Sequence, residues 1–318
     1  MSEKGILFMN KEVFEVLPEQ ENQRIDKYIS LLYPDKSRSY FQKLIKSDQV
    51  LVNEQSIKAN YQVKADDVIT IIFPDSEETN IKPENIPLDI LYEDEDLLVV
   101  NKPKGMVVHP SIGHYSGTLV NAIMYHCKDS LSGINGEIRP GIVHRIDMNT
   151  TGSLIVCKND NSHIKIADQI KVHSVNRIYE GIVIGCPKEQ TGVIHAPIGR
   201  NPKDRKKMAI VDKNGKDAIT HYEVIQNFGN YSYVRFRLET GRTHQIRVHM
   251  ASIGHPLLGD DVYGSGKGVY GQFKHLQGQT LHAKTIGFIH PSTGEYIEVS
   301  APLPEYFVSL LQKLEAMS

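Results

Sequence analysis

Hydrophobic and polar positions follow two different rhythms along this chain. In "RIDKYISLLYP", residues 24–34, Ile25, Tyr28, Ile29 and Leu32 recur at the spacing of one helix face. "SRSYFQKLIKS", residues 37–47, repeats that spacing with Tyr40, Phe41, Leu44 and Ile45, and Ser37 suits the N-cap. Two β-rich runs follow, "QVLVN" and "DVITIIF". The pattern predicts a compact helix–helix–strand unit within a first domain spanning 1–74. The stretch "PDSEETNIKPENIP" is polar, acidic and broken by prolines, and predicts a linker over 75–87.

From residue 88 onward, short β runs dominate. Strands are expected at "LLVVNKP", "GIVHRID", "SLIVCKN", "RIYEGIVIG", "MAIVD", "THYEVI", "YVRFRLE" and "EYIEVS". Helices are expected at "TLVNAIMYH", "DNSHIKIADQI", "THQIRVHMASI" and "PEYFVSLLQKL". Strands outnumber helices without alternating regularly with them. The expected class is therefore α+β, with a large, mainly antiparallel mixed sheet flanked by helices over 88–318. No internal repeat is visible.

Composition narrows the function classes. A chain of 318 residues with 40% hydrophobic residues can bury a substantial core. The net charge of −2 argues weakly against nucleic-acid binding, but a sum over the chain hides local patches. Cys127, Cys157 and Cys186 are far apart and odd in number, which fits a reducing, cytoplasmic setting better than a disulfide framework or a zinc ribbon. No signal peptide and no apolar run of membrane-spanning length is present, so no membrane partner is expected.

Several motifs are absent. His244 and His249 are not in an HExxH arrangement, "YGSGKGVYG" is not a phosphate-binding GxxxxGK[ST] loop, and no GxSxG occurs. The glycine-rich run reads as a flexible loop, and "EDED" at 93–96 as a solvated turn. No metal site or cofactor is expected. "GRNPKDRKKM" carries Arg205 and Lys206 in a basic loop open to phosphate contact or plain solvation. Arg38, Lys43 and Lys46 recur off the apolar face of the second predicted helix, where the same two readings hold.

Two segments carry candidate chemistry. If "GIVHRID" is a strand, Val143, Arg145 and Asp147 share one face, and Ile142, His144 and Ile146 share the other. Asp147 then stands where the strand meets the turn "MNTTG", either as a functional carboxylate or as the side chain of an Asx-turn. In "LETGRTHQIRVHMASIGHPLLGD", Thr243 can cap a helix that Gly254 closes, with Ile246, Met250 and Ile253 as its core stripe. Arg247 lies deep among those apolar residues and calls for a carboxylate partner, because an unpaired buried charge is expensive. Asp147 is one candidate.

These motifs, in order, resemble those of the RluA-type pseudouridine synthases. "HRIDMNTTGSLIVCKN" resembles their catalytic signature, with Ile146 in place of the usual leucine. "LYEDEDLLVVNKPKGMVVHP" resembles their upstream strand–loop motif, and "RIYEGIVIG" their aromatic-bearing strand. "ETGRTHQIRVHMASIGHPLLGDDVYG" is similar to their arginine motif, and "LHAKTIGFIHPSTGE" to their C-terminal one. The N-terminal unit resembles an S4 RNA-binding domain. That combination is closest to the RluD-like branch, which modifies large-subunit ribosomal RNA.

The resemblance implies an RNA isomerase that needs no cofactor. It implies Asp147 as the catalytic carboxylate, attacking the sugar or taking a proton from it, with Arg247 as its ion-pair partner. It implies that Tyr179 packs on the target uracil and that Arg145 fills the space a flipped base leaves. It further implies His144 and Leu281 as substrate contacts, and Arg38, Lys43, Lys46, Arg205 and Lys206 as RNA contacts. The expected partner is RNA, most closely large-subunit rRNA in the ribosomal large subunit or its precursor, bound by a cytoplasmic monomer. Transfer RNA is the alternative substrate.

Overall fold

The computed structural model describes residues 10–33, 38–73, 81–110, 113–128, 130–132, 140–204, 207–264, 273 and 276–318. The expected cap Ser37, the basic residues Arg205 and Lys206, and most of the glycine-rich run lie outside the described residues. The chain divides into two compact units, Met1–Asn80 and Ile81–Ser318.

The smaller unit contains β1 (Asn10–Glu15), α1 (Ile25–Leu32), α2 (Arg38–Lys46), β2 (Val50–Val52), β3 (Gln55–Ser56) and β4 (Val68–Phe73). Its strands form an antiparallel sheet in the order β1-β4-β2-β3. Ile25, Ile29, Phe41, Leu44 and Ile45 of the helices pack with Val50, Val52, Ile69 and Ile71 of the sheet. Leu32, expected on the buried stripe, is exposed. It is the last residue of α1, where the helix ends.

The larger unit contains β5 (Ile90–Glu93), β6 (Leu97–Lys102), α3 (Leu119–Cys127), β7 (Thr151–Cys157), α4 (Asp160–Lys171) and β8 (Asn176–Ile184). It continues through β9 (Thr191–His195), β10 (Ile198–Arg200), β11 (Met208–Ile210), β12 (Ile219–Phe228), β13 (Tyr231–Leu238) and α5 (Gln245–Ser252). It ends with β14 (Leu281–Ile289), β15 (Tyr296–Ser300) and α6 (Glu305–Glu315). Nine strands form one sheet in the order β5-β6-β7-β14-β8-β13-β12-β9, with β15 paired on β14. Every pairing in it is antiparallel except that of β14 with β7. The α+β class, with a large mixed sheet and flanking helices, is the class expected. No helix among the described residues is long and apolar enough to cross a membrane.

Residues 81–87, part of the expected linker, pack on this unit. Ile81 is buried in its main core, and Glu84 N donates to Asn121 O at 2.9 Å.

The segment "GIVHRID" is not a strand. Ile142 makes one isolated bridge to Val156, and Cys157 N donates to Gly141 O at 2.9 Å. The next ladder position is taken by a side chain: His144 Nε2 accepts from Ile155 N at 2.9 Å. An imidazole nitrogen here stands in for a strand carbonyl. The expected alternation survives in part, since Ile142 and Ile146 are buried in one core and Val143 packs against another.

Candidate active site

Asp147 lies where this segment enters the turn before β7. The turn is closed by the backbone, with Thr150 N donating to Asp147 O at 3.0 Å. The Asp147 side chain is therefore not spent on an Asx-turn. The chain then crosses β14 so closely that a Cβ on Gly152, at φ +108°, would come within 2.2 Å of Ala283 O. Only glycine fits both that conformation and that contact.

Lys102, at the end of β6, braces the same turn. Its ammonium is fully buried and donates to the carbonyls of Pro103 (2.8 Å), Met106 (2.8 Å) and Met148 (3.0 Å). Burial lowers its pKa to about 7, opposed by the Asp147 charge. No motif role falls on it from the sequence; its signal is a lysine closing the strand LLVVNK after four apolar residues.

Arg247 comes from α5, which is buried from Gln245 through Met250. Its Nη1 donates to Asp147 Oδ2 at 2.9 Å, so the pairing considered from the sequence is present. A second acid, Asp260, takes Nε at 2.7 Å and Nη2 at 3.0 Å in a two-pronged contact. Burial works to lower the Arg247 pKa, but the Asp260 and Asp147 bonds and charges outweigh it and hold the guanidinium above its usual value. Asp260 is fully buried, and its Oδ1 also accepts from Val262 N and Tyr263 N.

Helix α5 starts one residue later than expected. His244, not Thr243, is the N-cap, in a left-handed conformation at φ 57°. The Gln245 side chain ties down the preceding loop, accepting from Arg242 N at 2.9 Å and from Thr240 Oγ1 at 2.9 Å. Gly254 closes the helix as expected, with Gly254 N bonded to Ala251 O. Ile253 falls past the last turn and is exposed, while His249 is fully buried between Thr220 Oγ1 and Ala196 O.

These groups surround one cavity. Its lining includes Arg145, Asp147, Tyr179, His244, Arg247 and Leu281. Tyr179 arrives on β8, registered opposite Phe236 of β13 and Ala283 of β14. Burial raises its pKa, so the phenol keeps its proton at neutral pH. Arg145 is exposed and its Nη1 lies 3.3 Å from His109 Nε2. His144 is not among the lining residues. Its ring nitrogen is committed to the Ile155 backbone, and burial drives its pKa down to about 3. It shapes the segment that carries Asp147.

Among the described residues, Asp94, Asp96 and His290 bring their donor atoms within 4.8 Å of one another. His290 Nδ1 accepts from Ser292 N and Thr293 N, which leaves Nε2 to donate to Asp94 Oδ2 at 2.8 Å. Asp94 Oδ1 in turn accepts from Asp96 N and Leu97 N. Neither imidazole nitrogen keeps a free lone pair, so this cluster is a turn clamp and not a metal-binding set.

In the smaller unit, Asp26 has a fully buried side chain between two arginines. Arg24 donates Nε and Nη2 to it, both at 3.1 Å, and Arg38 does the same from α2 at 3.1 and 3.0 Å. Gln42 Nε2 adds a bond at 2.6 Å. Both guanidiniums remain about half exposed. Lys43 and Lys46 are exposed on the same helix.

Comparison with known proteins agrees with this architecture. Residues 96–252 match the RNA pseudouridylate synthase family, and residues 23–69 match the S4 domain. The chain is 48% identical over 306 residues to an uncharacterized RNA pseudouridine synthase of Bacillus subtilis, covering 96% of this chain and 99% of that one. It is 45% identical over 312 residues to the ribosomal large subunit pseudouridine synthase D of Zymomonas mobilis, covering 96% and 98%. Among solved structures, human RNA pseudouridylate synthase domain containing 1 superposes with a TM-score of 0.54 at 27% identity, covering 77% of this chain and 98% of that one. The chain belongs to the RNA pseudouridine synthase family. It is an isomerase acting on RNA, with an S4 domain ahead of its synthase domain.

Proposed function

We infer that this protein converts specific uridines of large-subunit ribosomal RNA to pseudouridine, with Asp147 as the reacting carboxylate. The observation that carries the reading is the 2.9 Å bond from Arg247 to Asp147 in a cavity that Tyr179 and Leu281 also line. The substrate class rests on the relatives named pseudouridine synthase D, at 40–45% identity over nearly the whole chain.

The reaction breaks the C1′–N1 bond, turns the uracil and joins C1′ to C5. One proton leaves C5 and one is gained at N1. Arg247 holds Asp147 through Oδ2, which leaves Oδ1 to act on C1′ or on the C2′ proton. Tyr179 and Leu281 pack on the base. A stacked base cannot reach the carboxylate, so the target is flipped out, at a cost of a few kcal/mol that is least in loops. Arg145, exposed at the rim, takes the vacated space. Arg24, Arg38, Lys43 and Lys46 contact phosphates, which supply most of the affinity for RNA. The working form is a cytoplasmic monomer.

Tritium release from [5-³H]uridine in large-subunit rRNA, free or in subunit particles, tests the reading. Release by wild type and none by Asp147→Ala supports it. Release from transfer RNA instead keeps the chemistry and overturns the substrate. Tight RNA binding without release from either overturns the catalytic assignment.

A further inference from the structure

His244 has a geometry that the chemistry above does not use. It is a non-glycine residue held at φ 57°, a conformation that costs energy and persists only where the surroundings enforce it. The ring of His244 is held by Tyr263. Its hydroxyl lies 2.8 Å from His244 Nδ1, and the two rings meet edge to face at 5.6 Å. The same hydroxyl oxygen accepts from Met208 N at 2.9 Å, so its own proton is available to Nδ1. The Arg247 guanidinium stacks over the Tyr263 ring at 5.1 Å, tying the phenol to the Asp147 ion pair. The far nitrogen of His244, Nε2, then carries the ring proton and faces the cavity. It stands 3.9 Å from Asp147 Oδ2, too far for a hydrogen bond.

A donor and a carboxylate oxygen 3.9 Å apart define the atom that fits between them. It accepts from Nε2–H and donates to Oδ2. Uracil carbonyls and phosphate oxygens only accept, and the carboxylate repels them. Water and a hydroxyl do both, at about 2.8 Å from each neighbour, and a substrate hydroxyl placed there takes the position of the water. If Oδ1 acts at C1′ or on the C2′ proton, the hydroxyl nearest that point is the one on C2′. We propose that His244 Nε2–H and Asp147 Oδ2 together hold the 2′-hydroxyl of the target ribose, so that His244 selects a ribonucleotide over a deoxyribonucleotide. The assignment rests on the synthase reading above. The neutral imidazole it requires agrees with burial, which lowers the His244 pKa against the opposing pull of Asp147. A 2′-hydroxyl is the group by which a protein distinguishes RNA from DNA at a single site.

The test is a double cycle between protein and substrate. Large-subunit rRNA is transcribed with [5-³H]UTP or with [5-³H]dUTP, so that every uridine either carries or lacks its 2′-hydroxyl. Single-turnover tritium release and dissociation constants are read for wild type, His244→Ala and Tyr263→Phe, with thermal unfolding as the fold control. Wild type is expected to favour the ribo transcript by at least about tenfold. His244→Ala should slow the ribo transcript by a similar factor and leave the deoxy transcript within about twofold, so that the preference collapses. Tyr263→Phe keeps the imidazole but frees it, and should give an intermediate preference; it carries the test if His244→Ala does not fold. Equal losses on both transcripts, or a wild type indifferent to the 2′-hydroxyl, would overturn the proposal. Absence of wild-type release from the ribo transcript, both free and assembled into subunit particles, would instead overturn the rRNA assignment, and the same pair of transcripts made from transfer RNA genes then carries the cycle.

Discussion

The two units of this protein solve inverse electrostatic problems. In the smaller one, a single buried acid, Asp26, serves two half-exposed arginines. In the larger one, a single buried arginine, Arg247, serves two acids. The first cluster keeps one surplus positive charge, carried by guanidiniums facing solvent. The second keeps one surplus negative charge, on the acid that lines the cavity. In each, the fully buried acid is the fixed member: Asp26 and Asp260 have no exposed side-chain surface, while Asp147 keeps 19%. In both, the buried acid fixes the cluster and the surplus charge sits on the accessible member. On the function proposed above, a surplus cation suits a polyanion, and a surplus carboxylate suits chemistry at a sugar carbon.

Removing the surplus charge of the larger cluster should have the greatest effect. Asp147→Asn is expected to lower tritium release by at least about 10³-fold while leaving RNA binding nearly intact, measured by single turnover and filter binding. Arg247→Met comes next. It leaves Asp260 buried without its cation, so it should cost about 3–5 kcal/mol of stability as well as activity, read by denaturant unfolding. Arg247→Lys should rescue little, because a lysine cannot make the paired contacts to Asp260 and still reach Asp147.

The smaller cluster predicts weaker effects of another kind. Arg24→Ala or Arg38→Ala should lower RNA affinity and reduce the slope of log K against log salt by about one, with the rate at saturating RNA unchanged. Asp26→Asn sharpens the comparison. It makes the domain more positive, yet it frees both arginines, so affinity should fall; a rise would show that charge alone matters. The smallest effect is in acid. Burial opposes ionisation of Asp26, but its bonds to Arg24, Gln42 and Arg38 lower its pKa from 3.8 to about 2. A carboxylate with a depressed folded pKa contributes stability above its unfolded value. That contribution is complete above about pH 4 and is lost as pH falls toward 2, which acid unfolding of wild type against Asp26→Asn would reveal.

Much of this was legible in the sequence because its signals are local. Helical spacing marked α1 and α2, apolar runs marked β6 and β7, and ordered motifs marked the family. The need of Arg247 for an acid followed from burial alone, and the structure answers it with two. What escaped depends on distant chain. "GIVHRID" has strand composition, but no regular ladder runs along it, and His144 turns inward to supply the missing acceptor. The motif marks His144, but not the backbone amide its ring accepts from. Nothing local marks Lys102 or Tyr263, whose partners Met148 and His244 lie 46 and 19 residues away, beyond any spacing rule.

The position of β14 holds the candidate site together. It lies at the middle of the sheet, between β7, which follows the Asp147 turn, and β8, which carries Tyr179. Those two strands do not pair with each other, so a strand from much later in the sequence sets the spacing between the carboxylate and the phenol. Loosening β14 would part the two walls of the cavity while each kept its own local structure, which makes the site only as durable as that one central strand.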